Sequence, residues 1–76
     1  MKDLVVKIVQ ALVDQPEAVS VNEIESNQTA VLEVSVANTD IGKVIGKHGR
    51  TAQAIRTIVG AAAGKLRKRY IIEIVD

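Results

Sequence analysis

Leu4, Val5, Ile8, Val9 and Leu12 recur at the 3.6-residue spacing of an amphipathic helix. Asp3 stands where a side chain caps the first turn of such a helix. Pro16 closes it, because the residue before a proline avoids helical backbone angles. Residues 19–25 read as a strand, although Ile24 breaks the alternation begun by Val19 and Val21. Residues 26–28 are polar and predict a turn. Leu32, Val34 and Val36 then alternate with Glu33 and Ser35, the pattern of a strand with one buried face. The two strands predict an antiparallel hairpin. Beyond them Asp40 is placed to cap a very short helix, residues 41–45, which Gly46 ends. A longer helix is predicted from about residue 50 to 67, with Ile55, Ile58, Val59, Ala62 and Leu66 as its core stripe. Residues 70–75 close the chain as a third strand.

The predicted order is therefore helix, strand, strand, helix, glycine loop, helix, strand: an α+β chain. A strand that returns to its sheet through helices must cross over, and such crossovers are right-handed almost without exception. The last strand then lies parallel to the second, in a mixed three-stranded sheet. All three helices cover one face of it, since only one layer of helices is available. No repeat, low-complexity tract or linker interrupts the 76 residues, which predict a single domain spanning 1–76.

Composition narrows what can hold this fold together. A chain of this size buries about 60% of the surface its unfolded form exposes. It has no cysteine and no metal-type cluster, so neither disulfides nor zinc are expected to staple it, and no cofactor is expected. The apolar residues are nearly all Val, Ile, Leu and Ala, with Tyr70 the only aromatic. Stability must come from aliphatic packing, with self-association a natural supplement. No window approaches the roughly 18 consecutive apolar residues of a membrane span. The start, MKDLVVKIVQALVDQ, is interrupted by Lys7, Gln10 and Asp14, and no small-residue cleavage site follows, so it does not read as a signal peptide. A cytoplasmic location is expected.

The net charge of +1 conceals a strong asymmetry. Between Ile41 and Tyr70 lie Lys43, Lys47, Arg50, Arg56, Lys65, Arg67, Lys68 and Arg69 without a single acid, a balance of +8. The remaining residues set Lys2 and Lys7 against nine acids, a balance of −7. Such a division within one small domain suggests an anionic partner for one face. A solvated basic helix is the plainer alternative, and the glycines argue against it.

Those glycines fall at 42, 46 and 49, among Lys43, Lys47, His48 and Arg50. Gly46-Lys-His-Gly49 lies between two predicted helices, and the second begins immediately after it. The first N–H groups of a helix lack intrahelical partners and carry partial positive charge, which favours anions. Glycines on either side remove the Cβ atoms that would hold a phosphodiester backbone at a distance. The alternative is a plain helix–helix turn. A mononucleotide P-loop would need G-x-x-x-x-G-K-S/T, and here Gly46-Lys47 is followed by His48 and preceded by Gly42 at the wrong spacing. The dinucleotide fingerprint G-x-G-x-x-G fails on the same glycines. I-G-x-x-G between two short helices does match the loop with which KH domains clamp the backbone of four nucleotides.

Asp40-Ile-Gly-Lys-Val-Ile-Gly-Lys-His-Gly-Arg-Thr51, Ala54-Ile-Arg-Thr-Ile58 and Ile71-Ile-Glu-Ile74 together extend that match over essentially the whole chain. The chain resembles the type II KH domain, order α-β-β-α-α-β, and within it the small single-domain bacterial RNA-binding proteins of the KhpA type. The resemblance implies single-stranded RNA as partner and a role as RNA chaperone or post-transcriptional regulator. It implies that Gly46, Lys47, His48 and Gly49 grip the sugar-phosphate backbone. It implies further that Ile41, Val44, Ile45, Ile55, Val34 and Val36 border an apolar groove for bases, flanked by the charges of Lys43, Arg50 and Arg56. Without aromatics such a groove lacks the ring stacking that other single-strand binders use.

Two other classes compete with this one. An enzyme needs a nucleophile with a positioned base, or a metal with its ligands. This chain has no cysteine, one histidine in a loop, and acids that the sequence sets apart from its basic half, so no enzymatic activity is expected. A protein–protein interaction module with no RNA role is the alternative function. On the long helix Gln53, Thr57, Gly60, Ala61 and Gly64 follow one another at spacings of three, four and one residues, a smooth stripe beside the core face. Two interior glycines cost about 1 kcal/mol each relative to alanine. Close approach of a second helix would explain them, as would crowding inside the domain or the start of fraying toward Lys65. The family resemblance likewise implies a homodimer, and pairing with a larger KH-containing partner.

Overall fold

In the computed structural model, which describes residues 1–75, the predicted elements appear in the predicted order. Helix α1 (Lys2–Leu12) leads through a short 3-10 turn at Pro16–Ala18 into β1 (Ser20–Glu25) and β2 (Thr29–Ser35). Helix α2 (Ile41–Ile45), the glycine loop, α3 (Arg50–Leu66) and β3 (Arg69–Val75) follow. The sheet order is β1-β2-β3, with β1 antiparallel and β3 parallel to the central β2.

Strand alternation decides which residues meet the helices. Ala30, Leu32 and Val34 of β2 are buried, with Val21 of β1 and Ile72 of β3 beside them. Val5 and Val9 from α1, Val44 from α2, and Ile55 and Val59 from α3 join them in one cluster. All three helices thus cover one sheet face, and full burial of an aliphatic side chain such as Leu32 contributes about 2 kcal/mol. Ile24, which breaks the alternation of β1, points to the open face, where it pairs with Val31, itself opposite Ile71. No helix among the described residues is long and apolar enough to cross a membrane.

Several sequence expectations shift. Helix α1 already begins at Lys2, so Asp3 lies within its first turn and makes no capping bond. The helix ends at Leu12, and Pro16 instead starts the 3-10 turn, where its fixed φ is an advantage. The buried stripe of α3 is Ala52, Ile55, Val59 and Ala63, whereas Ile58 and Leu66 are 50% and 57% exposed. Size favoured Ile58 and Leu66 in the sequence. Alanines on the sheet side let the helix axis lie close to the strands, and the stripe rotates accordingly.

Candidate nucleic-acid interface

Helix α2 lasts five residues because Gly46 turns the chain out of it, at φ 77° and ψ 170°. The Gly46 N–H donates back to the Gly42 carbonyl at 2.8 Å, and the Gly49 N–H to the Gly46 carbonyl at 3.1 Å. Residues 47–49 form one 3-10 turn in which His48 adopts φ 58°, and Gly49 adopts φ 73° at the start of α3. Histidine is among the few non-glycine residues enriched at such angles. The two outer glycines are required for different reasons. A Cβ on Gly46 would lie 2.8 Å from the Thr51 main-chain nitrogen and 2.6 Å from its Cβ, closer than atoms approach. A Cβ on Gly49 would meet nothing within 4 Å, so only its backbone angle selects glycine.

The loop therefore presents main chain directly to solvent. The N–H groups of Gly49 and Arg50 bond to carbonyls within it, and that of Gly46 to the Gly42 carbonyl of α2. Among the described residues, those of Lys47 and His48 bond to no carbonyl. Both side chains are exposed, as is Arg50. The result is a smooth convex turn with free donors and cations above it, which suits an anion with several oxygens.

The fold redistributes the eight cations. Lys43 pairs with Asp14 at 2.9 Å and lies 3.7 Å from Asp40. Its ammonium pKa is raised, chiefly by the hydrogen bond it donates to the Asp14 carboxylate. Lys68 pairs with Glu25 at 2.7 Å, which raises its own pKa and lowers that of Glu25. Acids that the sequence set apart from the basic half are thus folded against two of its members. Arg56 donates to the Ile72 carbonyl of β3, an edge strand, at 3.3 Å. Among the described residues, no carboxylate pairs with Lys47, Arg50, Arg56, Lys65, Arg67 or Arg69.

Asp40 does not cap α2, contrary to the sequence expectation. It is fully buried, and its carboxylate accepts the main-chain N–H groups of Asp14 at 3.2 Å and Gln15 at 3.0 Å. The Gln15 side chain donates to Thr39 Oγ1 at 3.3 Å. The end of α1 is thereby tied to the start of α2, whose other end is the glycine loop. Sequence reasoning missed this because the partners lie far apart in the chain and nothing local betrays them.

The groove residues divide by exposure. Val34, Val44 and Ile55 are buried in the core and can only back a groove wall. Ile41 and Val36 are half-buried, and Ile45, at the end of α2 beside the loop, is 38% exposed. The stripe of Thr57, Gly60, Ala61 and Gly64 lies exposed along α3, next to the exposed Ile58. A Cβ at Gly60 or Gly64 would meet nothing within 4 Å, so crowding inside the domain does not account for either glycine.

Comparison with known proteins agrees with this geometry. The KhpA/KhpB KH-domain family matches residues 2–74. The RNA-binding protein KhpA of Caldanaerobacter subterraneus subsp. tengcongensis is 59% identical over 75 residues, covering 99% of this chain and 100% of the relative. The proteins of the same name from Clostridium perfringens and Clostridium acetobutylicum are 52% and 51% identical, with the same coverage. No solved structure matches the chain significantly. With a family match over nearly its full length and relatives of this identity, the chain belongs to the KhpA/KhpB KH-domain family.

Proposed function

We propose that this chain binds single-stranded RNA, gripping the sugar-phosphate backbone with Gly46, Lys47, His48 and Gly49. The observation that carries the reading is the loop itself: exposed main chain with free N–H groups at Lys47 and His48, and no Cβ at either outer position. The printed names of the relatives, RNA-binding protein KhpA, support it. Arg50 and Arg56 supply charge beside the loop, while Lys43 contributes through a partly neutralised pair. Ile41, Ile45 and Val36 offer apolar surface to bases, with Val34, Val44 and Ile55 packed behind them. The work proposed is binding without a chemical step, in the cytoplasm. A clamp on about four nucleotides that lacks ring stacking releases its RNA readily. That suits a chaperone or post-transcriptional regulator that visits many transcripts.

Fluorescence titration of a short unstructured RNA at several salt concentrations tests this. Three or four neutralised phosphates give a logarithmic salt slope of about −2 to −3, at ~0.7 per contact. Replacing Lys47 and His48 together by Asp is expected to abolish binding with the circular dichroism spectrum unchanged, since both side chains are exposed. A slope near zero, or a folded double variant that binds normally, refutes the clamp.

We also propose a homodimer through α3, supported by an exposed small-residue stripe that the domain's own packing does not require. Two weak sites joined in this way act as one bivalent surface. The same face would serve pairing with a larger KH-containing protein. Gly60→Glu is expected to give a folded monomer, because the added side chain has free space within the domain and none between two closely packed helices. Sedimentation of the native chain as a strict monomer at high micromolar concentration overturns the dimer.

A further inference from the structure

The far end of α3 carries charge that the glycine loop does not use. Lys65, Arg67 and Arg69 are exposed there, and none has a carboxylate partner among the described residues. Lys68, between them, is different, held by Glu25 and lying 5.6 Å from the centre of the Tyr70 ring. Arg67 sits at φ 54° and ψ 38°, in the left-handed position that ends a helix and that glycine occupies most often. Its N–H closes the helix onto the Ala63 and Gly64 carbonyls, a task glycine performs without strain. Compensation of the helix dipole accounts for Lys65, in the last turn. It accounts neither for a strained arginine in place of glycine nor for Arg69, already in β3.

The position of this cluster suggests its ligand. Helix α3 has 17 residues and spans about 25 Å, with the glycine loop at its start and the cluster at its end. Strand β3 begins at the cluster, and the Arg56–Ile72 bond joins helix to strand partway along. Cations without a carboxylate partner among the described residues therefore stand at both ends of α3. We infer that Lys65, Arg67 and Arg69 form a second phosphate contact for the same RNA, engaging the strand after it leaves the clamp. The inference rests on the clamp reading above. Even at a stacked rise of about 3.4 Å per nucleotide, some seven nucleotides bridge the distance. A strand of about 12 therefore reaches both sites, and one of five reaches only the loop.

The test compares oligouridines of five and 12 nucleotides on the native chain and on an Arg67→Gly, Arg69→Gln double variant. A longer strand offers more binding registers, which raises apparent affinity without changing the salt slope, so the slope is the measurement. The native chain is expected to show a slope steeper by about 2 for the 12-mer, three further contacts at ~0.7 each. The variant is expected to lose about 1.4 of that increment, the two contacts removed, and to bind the 5-mer as the native chain does. Arg67→Gly alone is expected to raise the melting temperature, since it relieves the left-handed strain, while weakening the 12-mer. Equal 12-mer slopes for variant and native chain overturn the second contact and leave the clamp standing. Failure of the native chain to bind either oligomer removes both.

Discussion

Gly46→Ala is expected to cost more stability than any other single change in the loop, and to abolish RNA binding. Two effects add. At φ 77° and ψ 170° the backbone lies in a region that essentially only glycine populates, which costs an alanine about 1–3 kcal/mol. The new methyl would also sit 2.8 Å from the main-chain nitrogen of Thr51, which cannot swing aside as a flexible side chain would. Either α3 moves away from α2 or the loop unwinds, and a total of about 3–4 kcal/mol is expected. Gly49→Ala provides the comparison, because its Cβ enters open space and only the angular penalty of about 1–2 kcal/mol applies. Urea denaturation of the two variants checks this. Equal losses at the two positions would show that the contact with Thr51 does not set the requirement.

The second large effect belongs to Asp40. Asp40→Ala removes the acceptor for two main-chain N–H groups, those of Asp14 and Gln15, and leaves a cavity in a fully buried position. Hydrogen bonds to a charged group contribute about 1.5–3 kcal/mol each, and an unpaired donor is costly in its own right. A loss of about 3 kcal/mol is expected, which for a domain of this size lowers the melting temperature by roughly 12–24 °C. Asp40→Asn keeps one acceptor oxygen but turns an amide toward the other N–H, so it recovers only part of the loss. Asp3→Ala is the control: Asp3 is exposed and makes no capping bond, so the change is expected to stay within about 0.5 kcal/mol. Thermal melts that rank Asp3 at or above Asp40 would contradict the buried tie.

These two residues also mark how far the chain could be read without coordinates. Element order, the parallel return of the last strand and the glycine loop follow from local signals: periodicity, crossover handedness and three glycines at fixed spacing. Gly46 was legible as a loop residue. Its contact with Thr51 was not, because that depends on the angle at which α3 leaves the turn. Asp40 looked like a cap because it precedes a helix, yet its partners lie beyond α1, far outside any local window. Lys43 and Lys68 were counted as available charge until Asp14 and Glu25 came to meet them. The stripe of α3 shows a different limit. Two adjacent faces of that helix both carry aliphatics, and only docking on the sheet selects Ala52 and Ala63 over Ile58 and Leu66.

The parallel pairing of β2 and β3 has a consequence for how the molecule forms. Thr29 meets Arg69 and Ser35 meets Val75, so every rung of that ladder joins residues about 40 positions apart. The β1–β2 hairpin, closed by three residues, is local and assembles fast. The β2–β3 rungs must first meet the loop-closure entropy of the whole intervening segment, and the glycine loop lies near the middle of that segment. Helix α3 gains its contacts with β3, and the Arg56–Ile72 bond, only as that strand docks. The proposed clamp is thus expected to be completed late in folding, and a nascent chain that has not yet released its last strand is expected to lack a working loop.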